Sequence, residues 1–205
     1  MDEVNSHTTA VTADHIDTAM MQRCIELSRT AASQGEFPFA AVICKSGKVI
    51  AEAVNRVARD RDTTRHAEIV AMSLAQKAVG RAKLSGCTLY SNVEPCAMCA
   101  FPIRETRMNK VVFSLRSPIM GGFSRWNVLE DTGLSNVMPE AFGRPTEIIV
   151  GLLAEEAAQV WRDWNPLIWK IIRDRGCFQE GPAERWRTQA GKRSYWREML
   201  SILHN

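Results

Sequence analysis

Two stretches decide how this chain is read: Thr64-Arg65-His66-Ala67-Glu68-Ile69 and Glu94-Pro95-Cys96-Ala97-Met98-Cys99-Ala100. Each opens a helix. Ile69, Val70, Met72, Leu74 and Ala75 follow the first stretch as far as Gly80. Pro95 stands at or just before the first turn of the second, where a missing N–H costs least. Between them they supply a histidine and two cysteines, which are borderline and soft zinc ligands, and one carboxylate that need not be a ligand. A closed structural zinc site takes four protein ligands, whereas a catalytic site keeps a position for water. Cys96 and Cys99 fall one helical turn apart on the same face. At a helix start, free N–H groups and the positive end of the dipole favour their thiolates. Glu68, two residues past His66, lies beside such a metal but points differently from the ligand.

Working outward, a helix is predicted from about Ala13 to Ser33, with Thr12 as N-cap and Ile16, Met20, Cys24 and Leu27 at helical spacing. Phe37 to Cys44 and Val49 to Val57 read as strands joined by the turn Ser46-Gly47. Asp60 to Arg65 is a charged loop. Further strands are predicted over Cys87 to Ser91, Lys110 to Leu115 and Glu147 to Leu152, with a turn-rich stretch from Ser117 to Pro145. A single long helix is predicted from Glu155 to Arg175, with Trp161, Trp164 and Ile168 on one face. Strands alternating with helices give an α/β class. The expected fold is a three-layer α-β-α sandwich with a five-stranded mixed sheet.

Residues 1–176 are expected to form one domain, and residues 177–205 a basic, aromatic appendage. In that appendage Arg185, Arg187, Lys192, Arg193 and Arg197 alternate with Trp186, Tyr195 and Trp196. Glu180, Glu184 and Glu198 offset much of that charge. The surplus is too small for strong phosphate neutralisation. The appendage is therefore expected to border the pocket or to pack on a neighbouring subunit.

The net charge of +3 over 205 residues neither demands nor excludes a nucleic-acid partner. No apolar run approaches the roughly 20 residues that span a bilayer, so no membrane role is expected. The start, Met1 to Asp14, is polar and acidic and does not read as a secretory signal. Six cysteines do not make a disulfide framework here: Cys44 and Cys87 lie in predicted strands as buried thiols, and a reducing cytoplasm is the simplest compartment. Of the four histidines, His7, His15 and His204 lie near the termini, which leaves His66 inside the predicted core.

Zinc lowers the pKa of bound water to about 7, and hydrolytic removal of an aromatic amine needs that nucleophile. It also needs a group that carries protons to the ring nitrogen and then to the departing ammonia. Glu68 suits both tasks. A backbone N–H near Cys96 is placed to assist at the developing oxyanion. A structural zinc knuckle or a redox pair would also use Cys-x-x-Cys. The first lacks its second pair of cysteines, and the second is at odds with the proline before Cys96. A catalytically silent zinc scaffold would have no need of Glu68.

With these residues in place, the chain resembles the cytidine deaminase-like superfamily. The likeness runs from roughly Ile16 to Asp163. It is carried by Pro38-Phe39-Ala40-Ala41-Val42-Ile43, Val54-Asn55-Arg56, Leu89-Tyr90 and the two stretches quoted first. Within the superfamily it looks most like the branch that holds bacterial tRNA adenosine deaminases and guanine deaminases. The resemblance implies zinc held by His66, Cys96 and Cys99, with Glu68 as the catalytic acid–base. It implies that Asn55 hydrogen-bonds the substrate ring or its ribose, that Phe39 stacks on the base, and that Ala67 and Pro95 border the substrate. A homodimer is also implied. The chain departs from the branch at Ala40, where a glycine is usual, and at Asp62-Thr63-Thr64, where Asp-Pro-Thr is common. Arg65 stands where the tRNA enzymes carry a small residue. The acidic residue with which guanine deaminases read their base after the fourth strand has no counterpart between Ser114 and Leu129, which carries Arg116 and Arg125 instead. With Arg65, these arginines are placed to meet a phosphate or carboxylate. Trp126 to Gly143 is longer than in the tRNA enzymes and is expected to act as a lid or an interface. The expected activity is hydrolytic deamination of a free nucleobase or nucleoside, of aminopurine type. The alternatives are a cytosine or cytidine substrate, or adenosine-to-inosine editing of tRNA.

Overall fold

A computed structural model describes residues 13–180. In chain order its elements are α1 (His15–Ser33), β1 (Ala40–Lys45), β2 (Lys48–Val54), α2 (Val57–Asp60), α3 (Ala67–Val79), β3 (Cys87–Val93), α4 (Ala97–Glu105), β4 (Lys110–Leu115), α5 (Thr132–Val137), α6 (Pro139–Phe142), β5 (Glu147–Val150), α7 (Ala154–Trp164) and α8 (Pro166–Asp174). The five strands make one sheet in the order β2-β1-β3-β4-β5. β1 runs antiparallel to both its neighbours, while β3, β4 and β5 are mutually parallel. This is the mixed sheet that the alternation of elements predicts.

The inner strands β1, β3 and β4 are buried on both faces, the edge strands β2 and β5 only in part, and their side chains alternate between two cores. Ala40, Val42, Cys44, Tyr90, Val112 and Ile149 face one way, against Met21, Cys24 and Ile25 of α1 and Ala157, Ala158 and Trp161 of α7. Ala41, Ile43, Leu89, Val111 and Phe113 face the other way, against Ala67, Val70, Ala71 and Ala75 of α3 and Ala100 and Ile103 of α4. The result is three layers, α-β-α, as expected. Cys44 and Cys87 are buried, and all six cysteines are free thiols. Among the described residues, no helix is long and apolar enough to cross a membrane.

Several boundaries differ from the sequence expectations. The expected cap of α1, Thr12, lies outside the described residues, and Asp14 caps instead. Its carboxylate accepts from Asp17 N at 2.8 Å, and Asp17 returns the bond, closing a capping box. β1 begins at Ala40, so Phe37 precedes the strand and is exposed. β2 ends at Val54 and the chain turns into the short α2, where a strand to Val57 was expected.

The largest difference is the C-terminal helix, which is two helices, α7 and α8. Pro166 has no N–H to continue the ladder, and it drives Asn165 out of helical geometry, to φ −159° and ψ 100°. Asn165 then caps the second helix, its Oδ1 accepting from Ile168 N at 3.0 Å. The break resets the helical phase, so Trp169 rather than Ile168 packs beside Trp161, with ring centroids 6.4 Å apart.

The turn-rich stretch from Ser117 to Pro145 contains α5 and α6. It is tied to α4 by the fully buried Arg104, whose Nη1 donates to the carbonyls of Val128, Leu129 and Asp131. The proposed domain boundary at 176/177 falls near the end of the described chain, and most of the appendage, from residue 181 onward, lies outside it.

Candidate metal and proton-transfer site

The site forms where α3 and α4 begin, on the same face of the sheet. His66 is the N-cap of α3 and Cys96 the N-cap of α4, both with extended backbone. Neither side chain caps its own helix. An N-cap normally carries a Ser, Thr, Asp or Asn that turns back on the first N–H groups. Here an imidazole and a thiol stand there and turn toward each other. Cys99, in the first turn of α4, completes the group and is fully buried.

His66 Nδ1 lies 3.6 Å from Cys96 Sγ and 3.5 Å from Cys99 Sγ, and the two sulfurs are 3.7 Å apart. A tetrahedral zinc with ordinary bond lengths sets S···S at about 3.8 Å and S···N at about 3.6 Å. The donor set and its spacing therefore fit zinc, and among the described residues this is the one group of such donors close enough to share an ion. Among the described residues no fourth His, Cys or carboxylate donor joins these three, a donor count that would leave one position of a tetrahedral zinc to a non-protein ligand.

The charges are arranged for the same purpose. Hydrogen bonding with Cys99 and His66 pulls the Cys96 thiol down to about 4. Cys99 is pushed up by the neighbouring Cys96 sulfur and by burial. The Cys96 sulfur holds the His66 imidazole above its ordinary value. Glu68 is buried in the first turn of α3. Its Oε2 stands 3.7 Å from Cys99 Sγ and its Oε1 3.2 Å from Ser91 Oγ. Burial pushes the Glu68 carboxyl up from the ordinary carboxylate range. A carboxyl raised toward neutrality is suited to hold and release a proton at working pH.

The geometry thus brings His66, Glu68, Cys96 and Cys99 together, with Ala67 and Pro95 beside them in the chain and both buried. Asn55 is buried at the end of β2, and its Nδ2 donates to Glu36 Oε2 at 2.9 Å. The next residue ties that strand end to the metal loop, Arg56 N donating to Arg65 O at 3.0 Å. Phe39 packs at the edge of both cores. Its ring stands edge-on to Trp161, with centroids 5.0 Å apart, and to Phe178, at 6.1 Å, in the aromatic cluster beneath α7.

The three arginines expected near the mouth each have a partner within the chain. Arg65 pairs with Asp60 at 3.1 Å. Arg116 Nε donates to Ser124 Oγ at 3.1 Å, and Arg125 lies 5.4 Å over the Trp126 ring.

Three polar residues at the site were not singled out from sequence: Glu36, Ser91 and Glu94. All three are buried. The available signal was an acidic residue immediately before the Pro-Cys pair, as at Glu94.

A model of the cytidine and deoxycytidylate deaminase zinc-binding region matches residues 14–115. The tRNA-specific adenosine deaminase of Bacillus subtilis is 35% identical over 140 residues, which cover 68% of this chain and 83% of that protein. The tRNA(Ile)-lysidine synthase of Deinococcus deserti is 35% identical over 152 residues, but the chain spans only 27% of that protein's length. Among solved structures, the guanine deaminase of Nitrosomonas europaea superposes with a TM-score of 0.62 at 30% identity, covering 76% of this chain and 87% of that one. A structure from a study of A-to-I editing by tRNA:A34 deaminases gives a TM-score of 0.63 at 29% identity, covering 70% and 99%.

Proposed function

This chain belongs to the cytidine and deoxycytidylate deaminase zinc-binding family and is a zinc-dependent hydrolytic deaminase; from that premise we propose that it removes the amino group of an aminopurine base or nucleoside. The observation that carries the reading is the buried Glu68 carboxyl, 3.7 Å from a sulfur of the His66–Cys96–Cys99 group. The relatives support the purine class, because adenosine in tRNA and guanine, which their names give, are both aminopurines.

His66, Cys96 and Cys99 would hold the zinc. When bound, zinc supplies a water-derived nucleophile at neutral pH by lowering the pKa of that water to about 7. The chain's own residues do the rest. Glu68 takes a proton from the attacking water and passes it to the ring nitrogen, then takes the second from the hydroxyl newly bonded to the ring carbon and delivers it to the departing amine. One water is consumed, the C–N bond is replaced by C=O, and ammonia leaves. Asn55 holds the substrate edge. One N–H of its Nδ2 is held by Glu36 Oε2, which fixes the amide and leaves its Oδ1 to be presented. Ala67 and Pro95 form the tight walls beside the ligands. Phe39 shapes the pocket through the aromatic cluster it joins.

A second reading, adenosine-to-inosine editing of tRNA, is favoured by the B. subtilis relative and by the editing deaminase structure. Ammonia release from purified protein against free aminopurines, their nucleosides, cytosine compounds and tRNA distinguishes the readings. Turnover of free base or nucleoside with none on tRNA is the expected result; turnover on tRNA alone selects the second.

The protein acts in the cytoplasm as a homodimer on this reading. α7 and α8 bury Trp161 and Trp169 inside the chain's own core, while α8 leaves Leu167 and Ile171 exposed. Met98 and Phe101 of α4, with Ile119, Met120 and Trp126 of the following loop, are exposed and apolar and suit contact with a partner copy. A monomeric mass at micromolar concentration would overturn it.

A further inference from the structure

The start of α4 is held in an unusual way. Its N-cap side chain is turned to the metal group, so its first N–H groups need partners from outside the helix. Ala97 N donates to Met120 O at 3.2 Å, and Gly122 N donates to Pro95 O at 2.8 Å, across a bridge that pairs Cys96 with Gly121. The loop of residues 117–124 thus supplies the acceptor for the first N–H of the helix and ties down the residue before its N-cap. That loop hangs from one side chain. Glu94 Oε1 accepts from Phe123 N at 3.0 Å and Ser124 N at 2.6 Å. Its Oε2 accepts from Ser117 N at 2.8 Å and Ser124 Oγ at 2.6 Å. The Ser124 hydroxyl in turn accepts from Arg116 Nε.

The loop lies as close as a chain can. A Cβ at Gly121 would stand 2.0 Å from Glu94 Oε1, and one at Gly122 would stand 2.2 Å from Ala100 Cβ. Only glycine at both positions lets the backbone reach the carboxylate and the helix together.

We propose that Glu94 is a positioning residue for the metal site: through the loop 117–124 it fixes the start of α4 and with it the spacing of Cys96 and Cys99. This rests on the assignment of those two cysteines as zinc ligands. The task needs a carboxylate in particular. An amide at position 94 has one acceptor oxygen, so in one orientation its NH₂ meets Ser117 N–H and in the other it meets Phe123 and Ser124 N–H. Outer-shell groups of this kind are typically worth 10–100-fold in metal affinity.

The test is the rate of zinc release from the loaded full chain to a chromogenic chelator. Glu94→Gln is expected to release zinc about 10–100-fold faster than the parent chain. Ser124→Ala, which removes one donor of the four, is expected to release it about fivefold faster. Asp17→Asn, which loosens a buried pair with Lys110 and Tyr90 at the other end of the sheet, is expected to leave the rate unchanged. Parent-like release from Glu94→Gln overturns the proposal, and so does equal acceleration in Asp17→Asn, which would mark a general loss of stability. If Glu94→Gln does not fold, a parent-like rate in Ser124→Ala overturns it. Cys96→Ala that keeps its zinc would instead overturn the ligand assignment beneath it.

Discussion

Between the sheet and α7 lie Tyr90, Trp161, Trp169 and Phe178, with Phe39 and Trp164 packed at their edge. Between the sheet and α3 lie Ala67, Ala71 and Ala75, one per turn and fully buried, meeting Ala51 and Ala53 of β2. Large rings hold a helix away from a sheet and bury much apolar area. A row of alanines lets a helix lie close. The chemistry sits on the second face, because close packing brings two helix starts to one point with little freedom in where their first residues land. The second face also holds large side chains, among them Phe113, Met108 and Leu129, so the division lies between the Trp161 cluster and the close seat of α3, whose start bears His66 and Glu68.

Three substitutions would break that division if it is wrong, taken from the largest expected effect. Glu68→Ala should lower turnover by about 10²–10⁴-fold while zinc content and unfolding midpoint stay close to the parent's. Ammonia release at the parent rate would move the proton-transfer task elsewhere. Trp161→Ala should cost about 3–5 kcal/mol in denaturant unfolding, by cavity formation, yet leave the zinc release rate of the folded fraction unchanged. Faster release would show that the two faces are coupled. Asn165→Ala should cost about 0.5–2 kcal/mol by removing the cap of α8, with turnover per folded molecule unaffected. A larger loss would mean that the angle between α7 and α8 matters to the core beyond the cap itself.

What could be read from sequence follows the range of the interactions. His66, Glu68, Cys96 and Cys99 were legible because each metal-site motif lies within a few residues and marks a helix start. β1 and β4 were legible because burial on both faces leaves nearly continuous apolar runs. The single C-terminal helix was a misreading: Trp161, Trp164 and Ile168 keep helical spacing across Asn165-Pro166, and the periodicity outweighed a breaker that is physically decisive. Phe39 reads equally as a pocket ring or a core ring, and only the position of Trp161 and Phe178 shows the company it keeps. The stretch 117–124 has no periodicity at all. Its shape depends on backbone N–H groups meeting one carboxylate more than twenty residues earlier in the chain, as with Ser117 and Glu94, 23 apart. No local pattern encodes such a pairing.

The strand order carries a consequence for how a newly made chain assembles its metal site. β1 and β2 are joined by the tight turn Ser46-Gly47 and can pair as soon as they leave the ribosome. His66 follows them directly, but Cys96 and Cys99 lie beyond β3, which must first seat itself against β1 along Ala41–Lys45. Pairings at that separation are slow steps in folding. The docking of β3 on β1 is therefore the step that carries Cys96 and Cys99 to His66, and the preorganised spacing of the three donors depends on the assembled sheet as well as on the two local motifs.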